Sequence, residues 1–253
     1  MLIQFCSDLH LEFPENREFL KWNPIQPGGD ILLLAGDIVL FAVMHEHADF
    51  FSYVSDHFQT TYWIPGNHEY YYSDAAKKSG VINESIRSNV FLVNNVAIEQ
   101  SSVKLIFSTL WSRINPANQW YIERRVSDFH VIKFNGRRFT TQDFNQLQEK
   151  DLRFITAELQ SASMLKTVLV THHVPTLMNY PAKYKGDPLN EAFAIELSDL
   201  IEDHGPDYWI FGHHHTNIQG FHIGNTQLLT NQLGYVKYGE NDLFDCSKFF
   251  EIN

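Results

Sequence analysis

Aspartate, asparagine and histidine side chains stand at the ends of five short apolar runs in this sequence. The candidate residues are Asp8, His10, Asp37, Asn67, His68, His172, His173, His213, His214 and His215. Imidazole nitrogens together with carboxylate and amide oxygens bind first-row divalent metals, and a set without thiolates differs from a structural zinc finger. The sequence therefore predicts a metal centre assembled from five separate segments.

The number of donors indicates more than one ion. One tetrahedral ion needs four ligands, and at least seven of these residues are candidate ligands. Two ions roughly 3.5–4 Å apart, bridged by a carboxylate and a hydroxide, would use them all. Each motif alone is weak, because Asp-Leu-His arises often by chance and a His pair after a strand is more often part of a core. Their conjunction, in order and at the ends of apolar runs, favours the dimetal interpretation.

The elements that position these residues alternate between strands and helices. Continuously apolar runs are typical of strands buried on both faces, and they are LIQFC, DILLLAG, TTYWIPG, VKLIFSTL, KTVLVTHH, DYWIFGHH and NTQLLTN. A helix is predicted over 140–160, which opens with a capping-box-like Thr140 and Asp143, and another over 190–205. This alternation predicts an α/β fold in which the carboxyl ends of the strands meet at one edge.

Composition limits the class of protein and its partners. The chain has 253 residues, is 44% hydrophobic and carries a net charge of -11. Nucleic-acid binding needs clustered Lys and Arg, which this sequence lacks, so nucleic acid is not the expected partner. The two cysteines make no disulfide framework, and Cys6 is expected to be a small buried hydrophobe. With no secretory signal and no run long enough to span a bilayer, we expect a cytoplasmic protein without a membrane partner.

No linker or repeat divides the sequence, so we expect a single domain over residues 1–253. Residues at about 112–138 are expected to form an irregular insertion in that domain, and both it and 176–190 are expected to shape a substrate pocket. Three arginines of the insertion are either phosphate contacts or, with more weight, solvated surface charges: Arg113, Arg124 and Arg125.

In order, the motifs Asp-x-His, Gly-Asp, Gly-Asn-His-Glu, a His after a strand and Gly-His-x-His resemble those of the calcineurin-like metallophosphoesterase superfamily. They span residues 8 to 215. Weaker similarities at FNGRRFTTQDF, VTHHVP, GDPLNEAFA and TNQLGY indicate a subgroup of generic bacterial phosphoesterases. The resemblance implies an α/β, four-layer α-β-β-α sandwich of two mixed sheets flanked by helices. It also implies a metal-dependent phosphoric ester hydrolase.

The resemblance implies a role for each matching residue. One ion would be held by Asp8, His10, Asp37 and His215, and a second by Asp37 as bridge together with Asn67, His172 and His213. The ions would be two divalent or mixed-valence transition-metal ions, from among manganese, iron, zinc and nickel. His68, just outside the ligands, would donate a proton to the leaving group.

Two histidines compete for one ligand position. His172 is favoured because it follows the apolar strand and its small residue directly, and His173, which fits a His-x-Pro pattern, is the alternative. His214 lies between two predicted ligands, and strand-like alternation would point its side chain away from them.

The sequence departs from the protein serine/threonine phosphatases, because GDIVLFA and GNHEYYY lack that branch's arginines and the Asp that would orient His68. The leading hypothesis is hydrolysis of a small-molecule phosphomonoester or phosphodiester through a metal-bridging hydroxide. A metal-dependent nuclease is an alternative that the acidic balance disfavours. A non-catalytic scaffold is another, disfavoured because every ligand type is retained. The physiological substrate, the native metals and the oligomeric state do not follow from the sequence.

Overall fold

The computed structural model describes residues 1–252 and is built around two six-stranded sheets. The strands are β1 (Leu2–Cys6), β2 (Ile31–Ala35), β3 (Thr60–Ile64), β4 (Ile82–Arg87), β5 (Val90–Asn94), β6 (Val96–Gln100), β7 (Val103–Phe107), β8 (Lys133–Phe134), β9 (Arg137–Arg138), β10 (Lys166–Val170), β11 (Tyr208–Ile210), β12 (Phe221–Ile223), β13 (Thr226–Leu229) and β14 (Phe249–Glu251). The seven strands expected from the apolar runs are all present.

The helices lie mainly outside the two sheets. The α-helices are α1 (Pro14–Trp22), α2 (Ala48–His57), α3 (Gln119–Glu123), α4 (Asp128–Val131), α5 (Thr141–Gln160) and α6 (Ser198–His204). Short 3₁₀ helices cover Met44–His47, His68–Tyr70, Ala75–Lys77, Ala182–Tyr184, Pro188–Ala192 and Val236–Tyr238. Within residues 1–252, none of these helices has the length and apolarity needed to cross a membrane.

Both large sheets have the same plan. The first has the order β14-β1-β2-β3-β5-β4 and the second the order β12-β13-β11-β10-β7-β6. In each sheet the four inner strands are parallel and the two edge strands antiparallel. The carboxyl ends of the parallel strands therefore share one edge, which is where open α/β sheets form ligand sites.

Apolar side chains of both sheets meet in a common core. Phe5 and Leu33 of the first sheet pack in one cluster with Leu105 and Val170 of the second. Because both faces of each sheet are covered, a strand such as β2 is buried at all five positions. The outer face of the first sheet packs against α1 and α2, and that of the second against α5 and α6. This arrangement confirms the predicted four-layer sandwich.

The predicted helix over 140–160 is confirmed at its start. The Thr140 hydroxyl accepts a hydrogen bond from the Asp143 amide over 3.3 Å, and the Asp143 carboxylate accepts one from the Thr140 amide over 3.0 Å. This capping box satisfies two backbone donors that the first turn of α5 leaves free. Cys6 is buried, as expected.

The single helix predicted over 190–205 is wrong. A 3₁₀ turn at Pro188–Ala192 and helix α6 replace it, and the residues between them pair with another segment. The Val174 amide donates to the Phe193 carbonyl over 3.1 Å, and the Ile195 amide donates to the Val174 carbonyl over 2.9 Å. These tertiary hydrogen bonds use the backbone groups that a continuous helix needs.

The segment 112–138 contains α3, α4 and the small ribbon of β8 and β9. It also has an apolar cluster, in which Ile122 and Phe129 pack with Trp111 and with Phe144 of α5. Packing of this kind fixes the segment beside the carboxyl ends of the strands.

Candidate active site

The predicted site residues all lie on loops that follow parallel strands. Strand β1 leads into Asp8 and His10, β2 into Asp37, β3 into Asn67 and His68, β10 into His172, and β11 into His213 and His215. All are buried except His215, which is partly exposed. The fold therefore brings together at one edge residues that are separated by up to about two hundred positions in the sequence.

Four side chains converge at one point. The ligand atoms of Asp8, His10, Asp37 and His215 all lie within 4.8 Å of one another. The Nε2 atoms of His10 and His215 are 3.0 Å apart, and Nε2 of His215 is 3.2 Å from Oδ1 of Asp8. Nε2 of His10 lies 3.8 Å from Oδ2 of Asp37. Nitrogen and carboxylate donors aimed at a common point are the geometry of a metal site.

A second group shares Asp37 with the first. Asp37, His172 and His213 also offer ligand atoms within 4.8 Å of one another. Nε2 of His172 is 3.3 Å from Oδ2 of Asp37 and 3.1 Å from Nδ1 of His213. The amide oxygen of Asn67 lies 3.2 Å from the same His172 nitrogen. Asp37 therefore has the position that a bridging ligand needs, between two sets of donors.

The two histidines after β10 have different surroundings. His172 belongs to the second group, whereas the ring of His173 packs 5.2 Å from that of Trp111 and 4.2 Å from that of His213, measured between centroids. Within residues 1–252, neither ring nitrogen of His173 has a hydrogen-bond partner. His214 is in neither group, and its Nδ1 atom lies 2.9 Å from the side-chain nitrogen of Gln232. The geometry favours His172 as the ligand, and that assignment stays a prediction.

The backbone at the site is held in an uncommon conformation. Several of the predicted ligands have positive φ angles, namely Asp8 (55°), His10 (46°), Asp37 (54°), His213 (76°) and His215 (48°). L-residues seldom adopt this region, and residues held there concentrate at functional sites. The surrounding loops must therefore fix these side chains at some cost in conformational energy.

Two glycines make room for the ligands. Gly36 has a φ of 87°, and a Cβ atom there would collide with the ring of His172. A Cβ at Gly66 would collide with the carboxylate of Asp37, although the φ of Gly66 is not positive. The structural requirement at Gly66 is therefore space for the carboxylate of Asp37.

Glu69 ties the loops after β2 and β3 together, and the sequence did not single it out. Its buried carboxylate accepts hydrogen bonds from the amides of Asp37 (3.0 Å), Ile38 (2.8 Å) and Gly66 (2.7 Å), and from the Trp63 indole (3.0 Å). It directly follows the Asn-His pair, and its place in the Gly-Asn-His-Glu motif was the signal available. These hydrogen bonds hold the backbone at Asp37 and the backbone just before Asn67 in fixed positions.

His68 lies next to the two groups and is oriented by Glu12. Nδ1 of His68 donates to Oε1 of Glu12 over 3.0 Å, and Nε2 lies 3.1 Å from the hydroxyl of Tyr235. The ring stacks on Tyr71 with centroids 4.1 Å apart. The sequence left the partner of His68 unidentified. The available signal was that Glu12 shares a loop with Asp8 and His10.

The other ring nitrogen of each candidate imidazole ligand is also occupied. These nitrogens face an acceptor in every case: His10 Nδ1 faces Glu12 (3.2 Å), His172 Nδ1 the Ala35 carbonyl (2.9 Å), His213 Nε2 the Ala192 carbonyl (3.3 Å) and His215 Nδ1 Glu240 (2.7 Å). Such contacts fix the tautomer and direct the free nitrogen inward, as is usual for metal-binding histidines. Asp128 acts similarly on Asn67, because it accepts a hydrogen bond from the amide nitrogen over 2.9 Å.

The buried carboxylates of the site favour the binding of cations. Burial opposes ionisation of Asp37, but the neighbouring imidazoles of His172 and His68 outweigh it and hold the pKa of Asp37 well below its ordinary value. Burial likewise opposes protonation of His172, yet Asp37 raises the pKa of His172 to about 9. Within residues 1–252, no Lys or Arg side chain forms an ion pair with Asp8 or Asp37. A buried carboxylate pair with imidazoles as its only cationic neighbours fits divalent cations.

A cleft of about 330 Å³ opens onto these residues. Its aromatic lining consists of Tyr71, Tyr180, Tyr184, Phe193 and Tyr235. Of the three arginines considered as phosphate contacts, Arg113, Arg124 and Arg125, only Arg125 lines the cleft. Arg113 instead lies 3.3 Å from the carboxylate of Glu149, and the Arg124 guanidinium lies over the Trp120 ring at 4.6 Å.

The sequence of the chain is similar to those of known proteins. A family model described as calcineurin-like phosphoesterase matches residues 1–217. An uncharacterised protein of Acanthamoeba polyphaga mimivirus, L509, is 30% identical over 260 residues, which cover 92% of this chain and 91% of that protein.

Two solved structures are similar in fold. Phosphopantetheinyl hydrolase from Mycobacterium tuberculosis superposes with a TM-score of 0.71 at 14% identity, over 98% of this chain and 95% of the other. A dimetal phosphatase from Danio rerio superposes with a TM-score of 0.50 at 14% identity, over 92% of this chain and 87% of the other. At this level of identity the likeness concerns the fold.

Proposed function

The chain belongs to the calcineurin-like phosphoesterase family, and from that premise we propose that it is a metal-dependent hydrolase of a small-molecule phosphomonoester or phosphodiester. The observation that carries this proposal is the position of Asp37, whose Oδ2 atom lies 3.8 Å from His10 and 3.3 Å from His172. One carboxylate between two sets of donors is what a site for two ions requires.

Two divalent ions would share the donors between them. Asp8, His10, Asp37 and His215 would hold one ion, and Asp37, Asn67, His172 and His213 the other. Four imidazoles favour transition metals such as manganese, iron, zinc or nickel over magnesium or calcium. When bound, the ions would make a shared water molecule acidic near neutral pH and neutralise charge on the phosphoryl oxygens.

His68 would supply the proton that the leaving oxygen needs. Since Nδ1 is occupied by Glu12, Nε2 is the ring nitrogen available to the cleft. Burial opposes protonation of His68, but the carboxylates of Asp37 and Glu12 outweigh it and raise the pKa of His68 above its ordinary value. A positioned general acid of this kind contributes roughly 10²–10⁴-fold in rate.

The cleft favours a small, partly aromatic substrate over a nucleic-acid chain. Its walls include four tyrosines and one phenylalanine. Arg125 is the one arginine in the lining, which also contains Asp187 and Glu240. Aromatic rings stack on planar groups, and a single guanidinium suits one phosphate. A nuclease would need a basic track along the surface, which the chain's charge of -11 opposes.

A screen of esters and metals tests this proposal. Protein purified without added metal would be analysed for bound metal, then assayed with manganese, iron, zinc and nickel. The substrates would be p-nitrophenyl phosphate, bis-p-nitrophenyl phosphate, cyclic nucleotides, a phosphopantetheinyl ester and single- and double-stranded DNA. We expect metal-dependent hydrolysis of a small ester. Cleavage of DNA alone would favour the nuclease, and little bound metal with no hydrolysis would favour a non-catalytic scaffold.

A further inference from the structure

Three side chains from distant parts of the sequence form a hydrogen-bonded line that ends in the cleft. Oε1 of Glu12 lies 3.0 Å from Nδ1 of His68, and Nε2 of His68 lies 3.1 Å from the hydroxyl oxygen of Tyr235. These residues follow β1, β3 and β13 respectively. The imidazole therefore has a carboxylate on one side and a phenol on the other, and the phenol is the member that lines the cleft together with His68.

Packing on several sides fixes the ring of Tyr235. It stands edge-on to His215 with centroids 4.4 Å apart, lies 4.7 Å from the ring of His10, and meets Phe13 edge-on at 5.4 Å. Its backbone amide donates to Glu240 over 2.8 Å. Because ring and backbone are both held, the direction of the hydroxyl toward His68 is set by the fold.

The other tyrosine that contacts His68 uses its hydroxyl in a different hydrogen bond. Tyr71 stacks on the imidazole, but its hydroxyl donates to Asp128 over 2.8 Å. Tyr235 is thus the tyrosine whose hydroxyl meets Nε2 of His68.

This arrangement constrains where a leaving oxygen can go. Glu12 occupies Nδ1 of His68, so a proton can reach the substrate only from Nε2. The hydroxyl of Tyr235 already lies within hydrogen-bond distance of that nitrogen and faces the cleft. A leaving oxygen must either displace this hydroxyl or accept a proton from it.

We propose that Tyr235 is a catalytic residue that contacts the leaving oxygen and passes to it a proton supplied by His68. The inference rests on the hydrolase function proposed above. As a water oxygen bonds to phosphorus and gives up a proton to solvent, the bond from phosphorus to the leaving oxygen breaks and its electron pair stays on that oxygen. The Tyr235 proton moves to the leaving oxygen, and the Nε2 proton of His68 moves to the Tyr235 oxygen. His68 keeps its Nδ1 proton, which stays hydrogen-bonded to Glu12, and regains its Nε2 proton from solvent.

The test compares Tyr235→Phe with Tyr238→Phe as the matched control. Tyr238 packs beside Tyr235, with centroids 6.0 Å apart, but is 71% exposed and does not line the cleft. We expect Tyr235→Phe to lower kcat for an alkyl phosphate ester about 10–100-fold, within the range of general-acid catalysis, with a much smaller effect on p-nitrophenyl esters. Metal content and KM should stay near those of the wild type.

A double variant and a spectroscopic measurement separate the relay from other roles. If both residues move one proton, His68→Ala with Tyr235→Phe should be no slower than His68→Ala alone. In metal-free protein, the ¹⁵N resonance of His68 Nε2 should shift in Tyr235→Phe and not in Tyr238→Phe.

Other outcomes would overturn the inference in distinguishable ways. If an active Tyr235→Phe variant had the same leaving-group dependence as the wild type, the relay would be wrong and the proposed hydrolase function would stand. Faster turnover of that variant would mean that Tyr235 blocks His68. An inactive wild type with every metal would remove the proposed function, and the relay with it.

Discussion

Oδ2 of Asp37 lies 3.3 Å from Nε2 of His172, in the second group of candidate ligands. The same oxygen lies 3.8 Å from Nε2 of His10, in the first group. A carboxylate that serves both groups differs from one that serves a single group, such as that of Asp8. Variants of these two aspartates should therefore lose metal in different proportions.

We predict that Asp37→Asn loses both ions and lowers the rate by more than about 100-fold. Loss of a group that only hydrogen-bonds to a metal ligand already lowers metal affinity or activity about 10–100-fold. Asp8→Asn should weaken mainly one ion, and Asp49→Asn, at an exposed position of α2, should weaken neither. Elemental analysis after gel filtration, together with steady-state rates, measures both quantities. Full metal content in Asp37→Asn would contradict the bridging assignment.

The two histidines after β10 give a second prediction. His172→Phe should reduce bound metal to at most about half, because it removes a donor of the second group. His173→Phe should keep the metal and raise the free energy of unfolding by about 1 kcal/mol, because it replaces two unpaired buried nitrogens beside Trp111 with carbon. Metal analysis and urea unfolding check the pair. Loss of metal in His173→Phe alone would exchange the two roles.

The candidate ligands could be predicted because their signal is local. Each comes directly after an apolar run, and parallel strands bring the residues at their carboxyl ends to a common edge. Fully buried strands such as β2 and β7 are also recognisable as apolar stretches of sequence. Strand order and edge strands such as β12 depend on contacts between distant segments and were not predicted.

The groups that orient the ligands could not be predicted in the same way. Asp128 and Glu240 reach Asn67 and His215 from 61 and 25 residues away, and no local pattern links them. The helix predicted over 190–205 failed for a related reason, since hydrogen bonds to Val174 divide it. In these places tertiary contacts override local preference.

Glu12 gives a prediction that distinguishes orientation from metal binding. Burial opposes its ionisation, but hydrogen bonds from His10 and His68 lower the pKa of Glu12 to about 2, so it is ionised at neutral pH. Glu12→Gln keeps the size and removes the charge. We expect near-normal metal content and a rate about 10–100-fold lower for alkyl phosphates.

The control for Glu12→Gln is Glu15→Gln, at an exposed position of α1. It should match the wild type in both metal content and rate. If Glu12→Gln instead lost metal and rate together for all esters, its carboxylate would act chiefly through His10.

Neighbouring arginines provide a matched pair for substrate binding. Arg125 lines the cleft, whereas Arg124 lies over Trp120 and outside that lining. A hydrogen bond between charged groups is worth about 1.5–3 kcal/mol, so Arg125→Ala should lower kcat/KM about 10–100-fold, mainly through KM. Arg124→Ala should leave kcat/KM unchanged. Equal effects of the two substitutions, measured by steady-state kinetics, would place the phosphate contact elsewhere.

Asp151 of α5 lies away from the candidate ligands and should make stability depend on pH. It is buried, and its carboxylate accepts hydrogen bonds from the Asn95 side chain over 2.7 Å and from the Trp111 amide over 3.4 Å. Burial is the main cause that raises the pKa of Asp151 from 3.8 to about 6, against those hydrogen bonds. Between these two values the unfolded chain releases the proton while the folded protein keeps it.

The contribution of Asp151 to the free energy of unfolding is therefore complete below about pH 4 and is lost as the pH rises to about 6. The rise in the pKa of Asp151 from 3.8 to about 6 corresponds to roughly 3 kcal/mol in the free energy of unfolding. Urea unfolding of the metal-free wild type and of Asp151→Asn would be measured from pH 4 to 8. The free energy of unfolding of the wild type, relative to that of Asp151→Asn, should fall by about that amount and stay constant above pH 7. Asp49→Asn should follow the wild type throughout. Parallel curves for Asp151→Asn and wild type would show that Asp151 is ionised in the folded protein across the whole range.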